Sequence, residues 1–455
     1  MSNSSRQHRS GWPRLRRAQV LLWACVAFTA PAWAAVPGDA TPGSTDALRE
    51  ELAALRAQQA RIAELQRSTD AGIRRLERLL GVEDPVAPAT ADAVPAAPGA
   101  SHGATAAGAP AAQAPAATAL AISGDLRLRH ERNFSEGDGP GRNRGALRAR
   151  IGAEYALSQD LAVGARLVTG NLDDPRSTGM TLSNFNDDFD VGLDRLYASY
   201  RLGNAMLWGG KFANPFRTSS LVWDGDVNPQ GAAVDYQRRV RDGARLHATA
   251  LYFAVDEHTA GDDSHMLGGQ LGLQTDTGTW GTEAYLAYYH YMLDGIGGAD
   301  PTDFRTNLLS ADGGYLSDFH LANVILGGTY GGFGEAWPLR LTGEYVRNLG
   351  AATDADSGYS LDTSLGRGSR PGDWRFRYGY QVAETDAVLA AFSHDDTTLA
   401  TNYRQHTLAL DYVLRPDTVF NFTWYRYRPD NAGDTPGFVA HDWLHRLRFN
   451  LLLRF

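Results

Sequence analysis

The chain has 455 residues, 43% of them apolar, and a formal charge of -9 at neutral pH. That acidic balance excludes a nucleic-acid binder built on a basic stripe. After residue 35 no stretch approaches the roughly eighteen consecutive apolar residues of a membrane-spanning helix. A bilayer-crossing β-barrel escapes that exclusion, because its strands alternate apolar with polar positions and average out.

Residues 1–34 read as an export signal. Arg14, Arg16 and Arg17 precede an apolar run from Val20 to Ala30, and Ala32-Trp33-Ala34 gives a small-x-small cleavage site. Cys25, the single cysteine, lies inside that run. The processed chain would carry no disulfide, and loss of five arginines would move its charge from -9 to -14. A short mature N-terminus, 35–43, follows.

The spacing predicts a helix over 44–81. Leu48, Leu55, Ile62, Thr69 and Leu76 recur every seven residues, and Leu52, Gln59, Gln66, Ile73 and Leu80 follow each by four. These fit the a and d positions of a short coiled coil, the alternative being a lone amphipathic helix packed on another surface, with Ser44 or Thr45 as N-cap and Gly81 at the stop. The even strand count of the region from 121 onward is consistent with its lying in the periplasm. Residues 82–120 are almost all Ala, Pro, Gly, Thr and Ser, an extended linker with nothing to bury. Its Gly99-Ala100-Ser101-His102-Gly103 matches a nucleophile-elbow pattern, but such a linker supplies no strand-to-helix turn to hold it.

From 121 to 455 the period becomes two. Sixteen segments alternate, at 122–132, 144–157, 161–170, 191–201, 205–212, 232–239, 245–256, 264–275, 279–292, 321–331, 339–349, 357–366, 373–385, 402–414, 418–428 and 441–455. Strands this long, apolar on one side and arginine-rich on the other, suit a lipid-facing barrel with a wet interior better than a soluble sandwich. Tight turns alternate with long loops, the arrangement of an outer-membrane barrel. The expectation is an all-β fold: a 16-stranded antiparallel transmembrane β-barrel behind a short α-helical coiled coil and an Ala/Pro-rich linker.

The barrel region resembles the Gram-negative putative porin family of sixteen-stranded outer-membrane porins. The resemblance rests on Ser123-Gly124-Asp125-Leu126-Arg127-Leu128-Arg129, on Arg144 to Tyr155, and on Gly210-Lys211-Phe212-Ala213-Asn214-Pro215-Phe216. Leu221 to Asp226, Gly231-Ala232-Ala233 and Glu384 to Phe392 continue it. Phe455, ending an amphipathic strand, resembles the signal by which outer-membrane proteins are recognised for insertion. The resemblance implies a water-filled channel for passive diffusion of small hydrophilic solutes. It also implies a homotrimer in outer-membrane lipid and lipopolysaccharide, inserted by the barrel assembly machinery, with no cofactor and no enzymatic activity. The alternative is an envelope tether in which the barrel only anchors the coiled coil.

Two residue sets carry the expected channel chemistry. Arg127, Arg129, Arg148, Arg150, Arg375, Arg377, Arg446 and Arg448 fall on the inward positions of four strands, and six of them meet where a barrel closes. Such a ladder favours anions, unless Asp125, Glu131, Glu154 and Asp411 neutralise it. The loop 213–231, third among the long loops, is expected by the resemblance to fold inward as a constriction, with Asn214, Pro215, Phe216, Trp223, Asp224 and Asp226. Its Asp224, Asp226, Asn228 and Asp235 echo a calcium loop, but Pro229 stands where that loop needs glycine, so lumen-facing acids are the reading and no metal site is expected. Asp173, Asp174, Asp187, Asp188, Asp190, Asp262, Asp263, Asp395 and Asp396 are placed on outer loops.

Overall fold

In the computed structural model the described residues are 120–455, apart from 138–140, 172, 183–187, 259–260, 295–303, 312 and 435–441. The export signal, the coiled coil and the linker through residue 119 lie outside them.

Sixteen long strands run antiparallel, each bonded to the next: β1 (Leu120–Ser135), β2 (Arg142–Ala156), β3 (Leu161–Thr169), β5 (Val191–Leu202), β6 (Ala205–Lys211), β7 (Gln230–Arg241), β8 (Ala244–Asp256), β9 (Ser264–Asp276), β10 (Trp280–Met292), β11 (His320–Tyr330), β12 (Leu339–Asn348), β13 (Ser357–Leu365), β14 (Trp374–Ala383), β15 (Tyr403–Arg415), β16 (Thr418–Pro429) and β17 (Leu444–Arg454). A two-residue strand, β4 (Met180–Thr181), adds a rung to β2 beyond the end of β3. β1 pairs along its length with β17, so the sheet closes on itself and leaves no edge. Every segment expected from the period of two is a strand, including 357–366, whose pattern is the weakest.

The two faces differ as alternation requires. Ile122 (63% exposed), Leu271 (61%) and Leu326 (58%) stand on the outside, while their neighbours Gln270 and Ile325 are buried. Aromatic residues rim the outer wall at both ends. Trp280, Tyr155, Tyr200 and Trp374 mark the short-turn end, and Tyr252, Tyr288, Tyr345 and Tyr359 the long-loop end. An apolar band between two aromatic girdles is the surface that a bilayer selects.

Phe455 closes the wall. Its backbone exchanges hydrogen bonds with Gly124 at 2.8 and 3.1 Å. Its ring covers the place where a Cβ on Gly124 would lie, 2.4 Å away.

One irregularity matters for the interior. Arg166 pairs with Arg195 but Leu167 with Leu193, so Asp194 is an extra residue in β5. The bulge turns both Asp194 and Arg195 to the inner face, which strict alternation forbids.

Candidate functional site

The loop 212–229, between β6 and β7, begins and ends on a pair of glycines. Gly210 and Gly231 face each other in register and hold φ of 113° and 144°. A Cβ on either would meet a backbone carbonyl, Leu196 O at 2.3 Å or Tyr252 O at 2.2 Å. Only glycine fits there.

From that base the loop crosses the interior. Arg217 donates to Glu283 of β10 at 2.8 Å, Ser219 bonds Glu344 of β12, and Ser220 accepts from Gln381 of β14 at 2.8 Å. The loop then returns to the other wall. Asp226 accepts from Arg150 of β2 at 2.8 Å and from Thr178 at 2.9 Å. Asn228 takes Arg195 Nε at 2.7 Å and gives its amide to Asp194 at 3.1 Å, so the β5 bulge holds the end of the loop.

Apolar packing fixes the crossing. Trp223, buried, stacks on Phe392 with centroids 5.9 Å apart and meets Tyr289 edge-on at 5.7 Å. Phe216 meets Tyr289 at 5.1 Å and lies over Gly268, where a side chain would collide with its ring. Aromatic contacts of this kind add about 0.5–1.5 kcal/mol each beyond the area they bury.

Phe392 belongs to a second infolded loop, 384–402, between β14 and β15. Asp224 joins the two loops: its backbone N–H donates to Phe392 O at 2.7 Å, and its carboxylate accepts from the Asp395 N–H at 3.2 Å. Asp386 fastens a third segment, accepting from Leu308 N at 3.0 Å and Ser317 Oγ at 2.7 Å. Burial, and then the neighbouring carboxylates, Asp395 and Asp226 beside Asp224 and Asp396 and Asp226 beside Asp395, hold both carboxyls above the usual carboxylate range, although Arg448 opposes the shift at Asp395. Burial pushes the neighbouring His394 down to about 4.

Across from these loops stands the arginine wall. Arg127 and Arg148 are directly opposite on β1 and β2, and β17 brings Arg446 and Arg448 beside them. Arg148 and Arg150 share Asp125 at 2.8 and 2.6 Å. Arg448 pairs with Glu131 at 2.8 Å and with Asp396 at 2.6 Å. Arg129 donates to Asn450 at 2.7 Å, Asn450 to Asn421 at 2.7 Å, and Asn421 to Asp411 at 2.6 Å. Asp411 also holds Arg375 and Arg377 at 2.6 and 3.2 Å. The row therefore runs unbroken from β2 to β14.

Residues 136–307 match the model of the family described as Putative porin. The matched segment runs from the end of β1 past β10 and contains Gly210–Phe216, Leu221–Asp226 and Gly231–Ala233; Ser123–Arg129 and Glu384–Phe392 lie outside it. No curated protein sequence matches the chain. Among solved structures, Pseudomonas putida OprB at high pH is similar at 12% identity and a TM-score of 0.51, over 74% of this chain and 94% of that one. The anion-selective porin of Comamonas acidovorans is similar at 13% identity and a TM-score of 0.44, over 74% and 99%. Salmonella typhi OmpF in complex with daunomycin is similar at 12% and 0.46, over 74% and 97%. At such identities the OprB likeness speaks for the fold alone.

Set against the porin resemblance, the expected residues divide. The eight arginines lie in one polar belt, and three of the four acids named as possible neutralisers, Asp125, Glu131 and Asp411, are paired with them. Glu154 instead accepts from Tyr197 at 2.9 Å. Asp226 touches the wall, whereas Phe216 and Trp223 are packed in the apolar cluster and anchor the loop. Asp224, Asp226 and Asn228 are linked through turn hydrogen bonds to backbone groups, Asp226 N to Asp224 and Asn228 to Asp226 O at 2.8 Å each, while Asp235 lies apart and accepts from Gln237 and Thr249. Asp395 and Asp396 are not outer-loop acids: their loop folds inward, and Asp396 sits on the arginine wall because the Phe392 cluster pulls the chain in. Asp174 is likewise held, by Arg176 and Arg305 at 3.2 and 2.6 Å. Sequence reasoning missed Arg166 and Arg195. Arg166 was available from alternation along β3; Arg195 was hidden by the bulge.

Proposed function

We propose that the protein is an outer-membrane channel for passive diffusion of small hydrophilic solutes, leaning toward anions, with no enzymatic activity. The observation that carries this is a closed barrel whose interior is crossed by a loop pinned to an arginine wall. The family match supports the channel. The lean toward anions is supported by the charge count along the wall. Six of the eight arginines meet five carboxylates in ion-pair contact, Asp125, Glu131, Asp226, Asp396 and Asp411. Among the described residues Arg127, Arg129 and Arg195 have no carboxylate at that distance. Guanidinium groups left in surplus beside a narrowed, low-dielectric passage attract anions and repel cations.

Loops at one end and tight turns at the other support an orientation with the loops outside and both ends of the barrel segment on the periplasmic side. We take the assembly to be a homotrimer, with the coiled coil of residues 44–81 as a second contact between copies. The test is single-channel recording of the refolded chain in planar bilayers under a KCl gradient. Steps grouped in threes with an anion-signed reversal potential are expected. An inserted but silent barrel would overturn the channel and favour the tether.

A further inference from the structure

On the outer wall near the long-loop end, β14, β15 and β16 present Tyr378, His406, Leu408, Trp424 and Arg426 around a groove of about 230 Å3. Register explains it. Leu408 stands opposite both Tyr378 and Trp424, and one rung nearer the loops His406 stands opposite Arg426. The lower rung is thus apolar and the upper one cationic.

Above the groove Trp443 lies under two guanidinium groups, 4.0 Å from that of Arg426 and 4.7 Å from that of Arg428. One carboxylate serves this pair: Glu136 bonds Arg426 at 3.0 Å and is shared with His445. Arg428 has no carboxylate within ion-pair distance among the described residues, and neither does Arg132 of β1, two strands on, beyond β17. By contrast Arg404 and Arg347, on the same rim, are each met by an aspartate. An outer wall needs no cations to face hydrocarbon. A surplus of them, held over an indole at the level of the aromatic girdle, calls for an anion with an apolar tail below it.

We propose that this groove binds a phosphorylated glycolipid of the outer leaflet, with one acyl chain lying along Tyr378, Leu408 and Trp424 and a phosphate taken by Arg426 and Arg428. The inference rests on the outer-membrane reading for the choice of leaflet and is independent of conduction.

The experiment is native mass spectrometry of the refolded full chain, titrated in detergent with bisphosphorylated lipid A, with dephosphorylated lipid A and with phosphatidylglycerol. Lipid A is expected to bind, and binding should weaken by roughly tenfold or more for the R426Q/R428Q double variant and for the dephosphorylated lipid. R347Q, on the rim but away from the groove, should bind as wild type does. Equal binding of the dephosphorylated lipid, equal binding of phosphatidylglycerol, or equal weakening by R347Q would each overturn the site. If the double variant does not fold, the dephosphorylated lipid on the wild-type chain decides. A wild-type barrel silent in bilayers that still binds lipid A in this pattern would remove the channel reading and leave the site.

Discussion

Asp226, on the loop between β6 and β7, accepts a 2.8 Å ion pair from Arg150 of β2, three strands away across the interior. The same carboxylate lies 3.7 Å from Arg148. All three side chains are largely shielded from solvent, so losing one partner leaves an uncompensated charge, a cost of about 3–5 kcal/mol when fully buried and less here. This contact holds the returning arm of the loop against the arginine wall.

Asp226→Asn should therefore loosen the loop at that wall while Trp223 and Phe216 keep it anchored at the other. Larger single-channel conductance with a stronger anion preference is the expected result. Unchanged conductance would mean that the loop does not bound the passage.

Arg127→Gln with Arg129→Gln removes two of the three guanidinium groups that lack a carboxylate partner. At an effective dielectric near 20 and a separation of about 8 Å, one charge changes an ion's energy by about 2 kcal/mol before salt screening. The reversal potential under a KCl gradient should shift toward cations by a several-fold change in permeability ratio. Arg375→Gln, which leaves Asp411 held by Arg377 at 3.2 Å and by Asn421 at 2.6 Å, should shift it in the same direction.

Gly210→Ala and Gly231→Ala each force a Cβ into a carbonyl oxygen at a left-handed backbone position. Each should cost about 1–3 kcal/mol. The cost should appear as a lower temperature of heat-induced unfolding, read by the shift in electrophoretic mobility. Gly209→Ala, where the added carbon meets nothing within 4 Å, is the control.

Acid should tighten the contact between the two infolded loops. Asp224 and Asp395 have carboxyls raised above the ordinary value of 3.8 by burial and by the carboxylates crowded around them, Asp226 and Asp396 included. A raised carboxyl binds its proton more tightly in the packed arrangement than in an opened one. Lowering the pH from the raised value to 3.8 therefore favours packing, and below 3.8 the effect is flat. Conductance is expected to fall across that window, and the fall should vanish in Asp224→Asn/Asp395→Asn. A pH response that survives the double substitution would assign it to other groups.

Gly124→Leu should displace the Phe455 ring and the backbone pair that joins β1 to the chain end. Slower folding into lipid vesicles, with the final conductance retained, is the expected outcome. Identical folding kinetics would show that the ring's seat on Gly124 is dispensable.

Much of this molecule was legible in residue order. Alternation along Leu147 to Leu157 or Trp374 to Val382 specifies both the strand and which face meets lipid, because side chains on a strand point alternately to opposite sides. The count of sixteen, the alternation of tight turns with long loops, and the gathering of Arg127, Arg148 and Arg448 at the closure all follow from that one period. What alternation cannot carry is any contact made by a loop. Arg195 was invisible because a single extra residue, Asp194, reverses the phase of β5. The seat of Asp396 on Arg448 depends on Phe392 finding Trp223, more than 160 positions earlier in the chain. Strand register is a local property repeated along the sequence, so the sequence by itself determined the wall. Where the loops go inside it is settled by packing and ion pairs between distant segments, and only the closed barrel brings those together.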